Sequence, residues 1–174
     1  MPELNNQNFN HLKIHTQYSI CEGAIKIDNL KDFCKEKKIP CLGLSDTSNL
    51  CGALEFAENI SKVGTQPIIG TQIYFRFEDT TGLLPLIALN ENGYKKIIEL
   101  SSRSYLENDA LSDPHLDIKE LLIDTEGVSL LSGTIQGLFG KLFEKGRLDE
   151  ISKLYNSLSS KFNDNFYLEI QRHG

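Results

Sequence analysis

The chain has 174 residues, of which 40% are hydrophobic and 24% charged, a composition typical of one globular domain with a sizeable core. Its formal net charge of −6 argues against a nucleic-acid-binding domain that acts alone, because such domains present clustered Lys and Arg. No apolar run is long enough to span a membrane, and the amino terminus lacks the pattern of a secretion signal. We therefore expect a single domain over residues 1–174, a cytoplasmic location and no membrane partner.

Short apolar runs alternate with longer amphipathic stretches, as strands and helices do. In chain order, the predicted elements are a strand over 11–15, a helix over 28–38, a strand over 41–45, a helix over 50–63, strands over 67–77 and 83–89, helices over 93–107 and 117–122, a strand over 128–131, a helix over 148–162 and a strand over 166–170. Asp28 is the expected N-cap of the first helix, and residues 78–82 have the composition of a hairpin turn.

Strands separated by helices of ten to fifteen residues predict parallel β/α units joined by right-handed crossovers. A barrel of such units places its functional side chains at the C-terminal ends of the strands. We expect His15, Asp46, Gln72 and Thr134 to lie at those ends.

Four cysteines, Cys21, Cys34, Cys41 and Cys51, form no C-x-x-C pair. Structural zinc sites need paired thiolates on tight turns, so we predict no zinc site at these residues. Scattered cysteines of this kind are typical of small, reduced core residues.

Four ordered motifs carry a resemblance to a known family. They are HLKIHTQYS (residues 11–19), LGLSDTSNL (42–50), PIIGTQ (67–72) and FYLEIQRHG (166–174). Together they resemble the polymerase-and-histidinol-phosphatase (PHP) domain, in the form that opens the alpha subunit of bacterial DNA polymerase III. The resemblance implies a distorted β/α barrel, seven-stranded in the family. It also implies that the chain is an N-terminal piece of a longer polymerase subunit, with the last β/α units missing.

The resemblance also implies that this chain has lost most of a metal site. Metal-binding relatives open with His-x-His, where this chain has Lys13 and His15, and continue with an acidic ligand, retained here as Glu22. Their Asp-His is Asp46-Thr47 here. Further family ligands correspond to Gln72, Tyr105 and Thr134. Only His15 and Glu22 remain weak candidates for a metal, and we expect no bound metal and no catalytic residue in this chain.

Each retained residue also has an ordinary structural interpretation. His15 is more readily explained as a hydrogen-bonded core histidine than as a ligand, and Asp46 as a carboxylate that fixes the turn after it. Glu22 is expected to pair with Lys13. We further predict that the Lys13 ammonium offsets Glu22 and Asp46 in place of a metal, although an exposed Lys13 is an equally good interpretation.

The leading functional hypothesis is therefore a scaffold and partner-docking domain of a replicative DNA-directed DNA polymerase, a nucleotidyltransferase. The family implies two partners, the proofreading exonuclease subunit and the catalytic core of the same polymerase, which uses Mg²⁺ in a later domain and supplies the contacts to DNA. One alternative is an active metal-dependent phosphoesterase or proofreading nuclease. Another is a regulatory binding module with no polymerase attached.

Overall fold

The computed structural model describes residues 9–109 and 111–170. The strands in this part of the chain are β1 (Cys41–Thr47), β2 (Gln66–Phe77), β3 (Thr80–Ala88), β4 (Leu116–Asp117), β5 (Val128–Leu131) and β6 (Phe166–Tyr167). The α-helices are α1 (Ile27–Lys37), α2 (Ala53–Ser61), α3 (Glu91–Leu106), α4 (Ile118–Ile123), α5 (Leu138–Glu144) and α6 (Leu148–Phe162). None of these helices has the length and apolar character needed to cross a membrane.

The strands form one mixed sheet in the order β1-β2-β3-β5-β6, with β4 also paired to β2. The β1–β2, β2–β4 and β5–β6 pairs are parallel, whereas β3 is antiparallel to both β2 and β5. Among the described strands, only β3 therefore runs against the others. The predicted hairpin between β2 and β3 is confirmed, and its short turn explains the reversal, since a parallel pair needs a long crossover. The parallel β/α units that the sequence predicts are therefore interrupted at β3, where the predicted hairpin reverses the chain.

Alternate residues of the strands face two environments. In β2, Ile73 and Phe75 pack into a core with α3, α4, α5 and α6, whereas Ile68 faces the opposite side of the sheet. A second core joins α1 and α2 to β1. This period of two places the helices on one face of the sheet.

The sheet curls so that its other face surrounds an apolar cavity. This cavity of about 510 Å³ is lined by residues of β2, β3 and β5, together with Leu12 and Tyr167. Leu12 belongs to the opening segment, residues 11–16, which lies beside β1, and Tyr167 belongs to β6 at the far end of the strand order. The two ends of the sheet thus approach each other, as a distorted barrel requires.

The opening segment is not the continuous strand that the sequence predicts. It makes isolated parallel bridges, Ile14 to Leu44 and Thr16 to Ile25. The Ile14 amide donates to Gly43 O at 3.1 Å, but the Thr16 amide donates to the Asp46 carboxylate at 2.6 Å. Because that amide bonds a side chain, the ladder alongside β1 ends there.

Several smaller expectations also differ from the structure. Helix α1 begins one residue before Asp28, and its N-cap is Lys26 with no side-chain cap, so Asp28 lies in the first turn. Strand β4 and helix α5 were not predicted. Cys34 is buried as expected, but Cys21 and Cys51 are exposed, so the prediction of core cysteines is wrong for those two.

Gly43 sets the approach of the opening segment to β1. A Cβ atom at this position would lie 2.6 Å from Leu12 Cα, which is closer than packed carbon atoms come. We expect Gly43→Ala to lower the free energy of unfolding by about 2–3 kcal/mol, measured by urea denaturation, because the backbone contact must open.

Gly64→Ala is the matched control. Gly64 has a φ of +80° and open space around it, so only the dihedral strain of about 1 kcal/mol applies there. Equal losses in the two variants would contradict the close approach at Gly43.

Candidate functional site

Most of the positions singled out by sequence line one cavity of about 430 Å³, the site cavity. It is lined by Lys13, His15, Glu22, Gln72, Leu83, Gly133, Thr134, Ile135, Gln136 and Gly137. Five of the eight predicted positions are in this set. Asp46 and Thr47 lie at the end of β1 and contact the same network of side chains. Gln72 lies inside β2 rather than at its end, level with the last residue of β1, because β2 continues into the hairpin.

Three of the predicted site positions, Glu22, Thr47 and Gln72, are linked by hydrogen bonds. Thr47 and Gln72 are partners in the β1–β2 register. Gln72 Nε2 donates to Thr47 Oγ1 at 2.8 Å, and Thr47 Oγ1 in turn donates to the carboxylate of Glu22. The expectation that Glu22 pairs with Lys13 is therefore wrong, since the hydroxyl of Thr47 is the group that reaches it. The chain of bonds occupies the donor atoms that a metal site would need.

Asp46 is the buried centre of the neighbouring loop. Its carboxylate has no exposed surface and accepts hydrogen bonds from the Thr16 amide at 2.6 Å, from Thr16 Oγ1 at 2.7 Å and from Ser19 Oγ at 2.7 Å. Ser19 Oγ also accepts from the Thr47 amide at 3.1 Å. The carboxylate thus fixes residues before it in the chain, and the expectation that it ties down the following turn is wrong. The loop that carries Glu22 is positioned by this anchor.

Lys13 is neither exposed nor paired with Glu22 or Asp46. Its ammonium lies 3.2 Å from Glu169 Oε1, and the two side chains are 18% and 14% exposed. The Glu169 amide donates to Ser132 Oγ at 2.9 Å, which attaches the segment after β6 to the end of β5. The predicted offset of Glu22 and Asp46 by Lys13 is therefore wrong, because those carboxylates are bonded by hydroxyl and amide donors.

His15 is half-buried at the side of the site cavity. Its Nδ1 atom is buried and has no hydrogen-bond partner within the described part of the chain, which contradicts the expected hydrogen-bonded core histidine at that atom. Burial lowers the pKa of His15; the negative charge of Glu22 opposes this effect and the positive charge of Lys13 reinforces it. The neutral imidazole is therefore favoured.

Of the remaining predicted positions, Thr134 lies at the site cavity and Tyr105 does not. Thr134 follows β5 and lines the site cavity. Tyr105 is exposed near the end of α3 and is not among the lining residues. The structure therefore does not bring Tyr105 to the other positions. His173 lies outside the described residues.

These residues do not fit a catalytic metal cluster. Such a cluster needs several deprotonated nitrogen and oxygen ligands around an activated water. Here an ammonium group stands beside His15, and the oxygens of Thr47 and Glu22 are bonded to each other. Over residues 9–109 and 111–170, no group of three or more His, Cys, Asp or Glu side chains is arranged to hold a metal ion.

Sequence reasoning missed Glu169, Thr16 and Ser19 as members of the site. Glu169 was part of a recognised motif, yet nothing in the sequence ties it to a lysine 156 residues away. Thr16 and Ser19 have hydroxyl groups that can donate to a carboxylate, but no local pattern pairs them with Asp46, about 30 residues further along the chain.

A model of the PHP domain family matches residues 11–173 of this chain. A DNA polymerase III subunit alpha from Caulobacter vibrioides is 38% identical over 183 residues, with 100% of this chain and 16% of the relative covered. Proteins of the same name from Thermus aquaticus and Borreliella burgdorferi are each 34% identical, with 95% of this chain and 15% of the relative covered. The chain thus spans less than a fifth of these relatives.

A solved structure of an amidohydrolase from Chromobacterium violaceum covers 84% of this chain, with a TM-score of 0.43 and 12% identity. The matched region makes up 54% of the amidohydrolase chain. A likeness of this size carries no inference about function.

Replacing Asp46 tests the buried anchor. We expect Asp46→Asn to lower the free energy of unfolding by about 3 kcal/mol in urea denaturation, because an amide NH₂ group would face donors that now bond a carboxylate. Asp124→Asn serves as the control, since Asp124 is exposed and accepts one bond from the Glu126 amide. A loss below about 1 kcal/mol at Asp46 would mean that the carboxylate is not the anchor.

Proposed function

The chain belongs to the PHP domain family, and on that premise we propose that it acts as the PHP domain of a bacterial DNA polymerase III alpha subunit, in a scaffold and partner-docking role. The likeness to alpha subunits extends over 95–100% of the chain. The family assignment alone does not separate a scaffold from a hydrolase. The chemistry of the site supplies the distinction.

One observation carries the scaffold role. The side chains at three ligand positions, Glu22, Thr47 and Gln72, are bonded to one another, and the ammonium at a fourth, Lys13, is paired with Glu169. A hydrolytic site must leave its ligands free to bind a metal and to activate water. Side chains that are hydrogen-bonded to one another stabilise the fold, and they do not supply the several free ligands that metal-dependent hydrolysis needs.

The wider role belongs to the longer protein that we propose. Nucleotidyl transfer with Mg²⁺ takes place in its catalytic core, and the partners of this domain are that core and the proofreading exonuclease subunit. Contacts to DNA come mainly from other parts of the protein, because this chain has a formal net charge of −6. We place this function in the cytoplasm.

An active phosphoesterase or proofreading nuclease is the alternative within the same family. His15 and Glu22, the two positions with good donor atoms, do share the site cavity. The alternative needs these residues to hold a metal despite the adjacent Lys13, and the loss of one ligand alone lowers metal affinity steeply.

Assays of phosphatase and nuclease activity distinguish the scaffold role from the phosphoesterase alternative. We expect the purified chain to hydrolyse neither p-nitrophenyl phosphate nor a mismatched primer end in Mn²⁺ or Zn²⁺, at rates above those of His15→Ala measured in parallel. A metal-dependent rate that His15→Ala abolishes would establish the phosphoesterase alternative.

Binding to the exonuclease tests docking directly. Size-exclusion chromatography of the chain mixed with the proofreading exonuclease subunit of the same organism should show co-elution. If the two proteins elute separately and the gene encodes no polymerase domain, the chain is a binding module of another kind.

A further inference from the structure

The Lys13–Glu169 pair lies at the seam between the two ends of the curled sheet. Lys13 belongs to the opening segment beside β1, where the Gly43 amide donates to His11 O at 2.7 Å and the Ser45 amide to Ile14 O at 2.8 Å. Glu169 lies just after β6, at the other end of the strand order. The ion pair therefore joins the segment beside β1 to the segment after β6 across 156 residues of chain.

This pair is set apart by its burial. In every other ion pair of the described residues, at least one side chain is 30% or more exposed, whereas neither Lys13 nor Glu169 exceeds 18%. Solvent screens a pair of this kind less than a surface pair, so breaking it costs more stability than breaking a pair on the surface. The seam is thus sensitive to the charge at position 13.

The same ammonium borders the site cavity. Lys13 lies two residues from His15 and lines the cavity with His15 and Glu22, the two side chains there with good metal-donor atoms. A fixed positive charge repels a divalent cation and has no lone pair to bind one. The Lys13 ammonium is therefore placed both to pair with Glu169 at the seam and to repel cations from the site cavity.

We propose that Lys13 is a built-in cation that holds the seam of the curled sheet closed and keeps divalent metal ions out of the site cavity. The proposal goes beyond the docking function, since it concerns what closes this barrel-like sheet and does not depend on which partner binds. The contact that closes the seam is the ion pair between Lys13 and Glu169.

The first test is a double-mutant cycle with Lys13→Met, Glu169→Gln and the double variant. We expect each single variant to lower the melting temperature by about 5 °C, and the double variant to lower it by clearly less than the sum. Lys95→Met is the control, because Lys95 pairs with Glu91 on an exposed face of α3 and should leave the melting temperature nearly unchanged. Additive losses, or equal effects of Lys13→Met and Lys95→Met, would overturn the role of Lys13 at the seam.

Hydrogen exchange localises the effect. Lys13→Met should speed exchange of the amides in residues 166–169 and in the opening segment, with little change in the centre of β2. Uniform acceleration across the sheet would show a general loss of stability instead of an open seam. If Lys13→Met does not fold, the exchanged pair Lys13→Glu with Glu169→Lys decides, since it should recover a folded protein only if the two charges meet.

Metal exclusion is tested separately. The melting temperature of the unmodified chain should be the same in EDTA and in 1 mM Mn²⁺, a concentration of about that order being enough to fill a weak site. Lys13→Met should be stabilised by Mn²⁺ and Lys13→Arg should not. A melting temperature of the unmodified chain that falls in EDTA, or a Mn²⁺ response equal in all three proteins, would contradict the proposal.

Discussion

The buried carboxylate of Asp46 is the constraint on which the site depends. A charge with no exposed surface is stable only if it is well hydrogen-bonded, and Asp46 obtains its donors from Thr16 and Ser19. Those bonds turn the chain away from β1 after Ile14 and fold the following loop back over the end of the strand. Glu22 reaches Thr47 because that loop is fixed. The position of Glu22 at the cavity thus follows from the need to satisfy one buried carboxylate.

Thr47, Gln72 and Glu22 form a chain of hydrogen bonds at the site cavity. A hydroxyl at Thr47 and an amide at Gln72 can each donate and accept, so with the carboxylate of Glu22 they complete a chain of hydrogen bonds. An imidazole and a carboxylate at the two positions would need a cation between them. The Lys13 ammonium borders the same cavity and is paired with Glu169. The cavity is open, but side chains around it are already hydrogen-bonded or ion-paired.

Sequence reasoning succeeded where the signal is local. Strand β5 and helix α6 were predicted at their observed bounds, because each has an apolar pattern of clear period bounded by polar residues. The β2–β3 hairpin followed from the composition of its turn. Strand β4 has two residues, too few to show a period, and α5 contains Gly140, which weakens its helical pattern.

The failures at the site have a different cause. Lys13, His15, Glu22, Gln72 and Thr134, which the motifs singled out, line one cavity. Which donor meets which acceptor depends on distances between segments far apart in the chain. Lys13 had two acidic candidates nearby in sequence, yet its partner is Glu169, since the curl of the sheet brings the last strand to the first. No local pattern encodes that choice.

A crystal structure of the chain grown in Mn²⁺, with anomalous scattering recorded at the manganese edge, tests the central claim that this site is held by its own side chains. The account predicts no anomalous peak in the site cavity, the Lys13 ammonium within 4 Å of the Glu169 carboxylate, and Thr47 bonded to both Glu22 and Gln72. A manganese ion held by His15 and Glu22, with Lys13 turned into solvent, would contradict it.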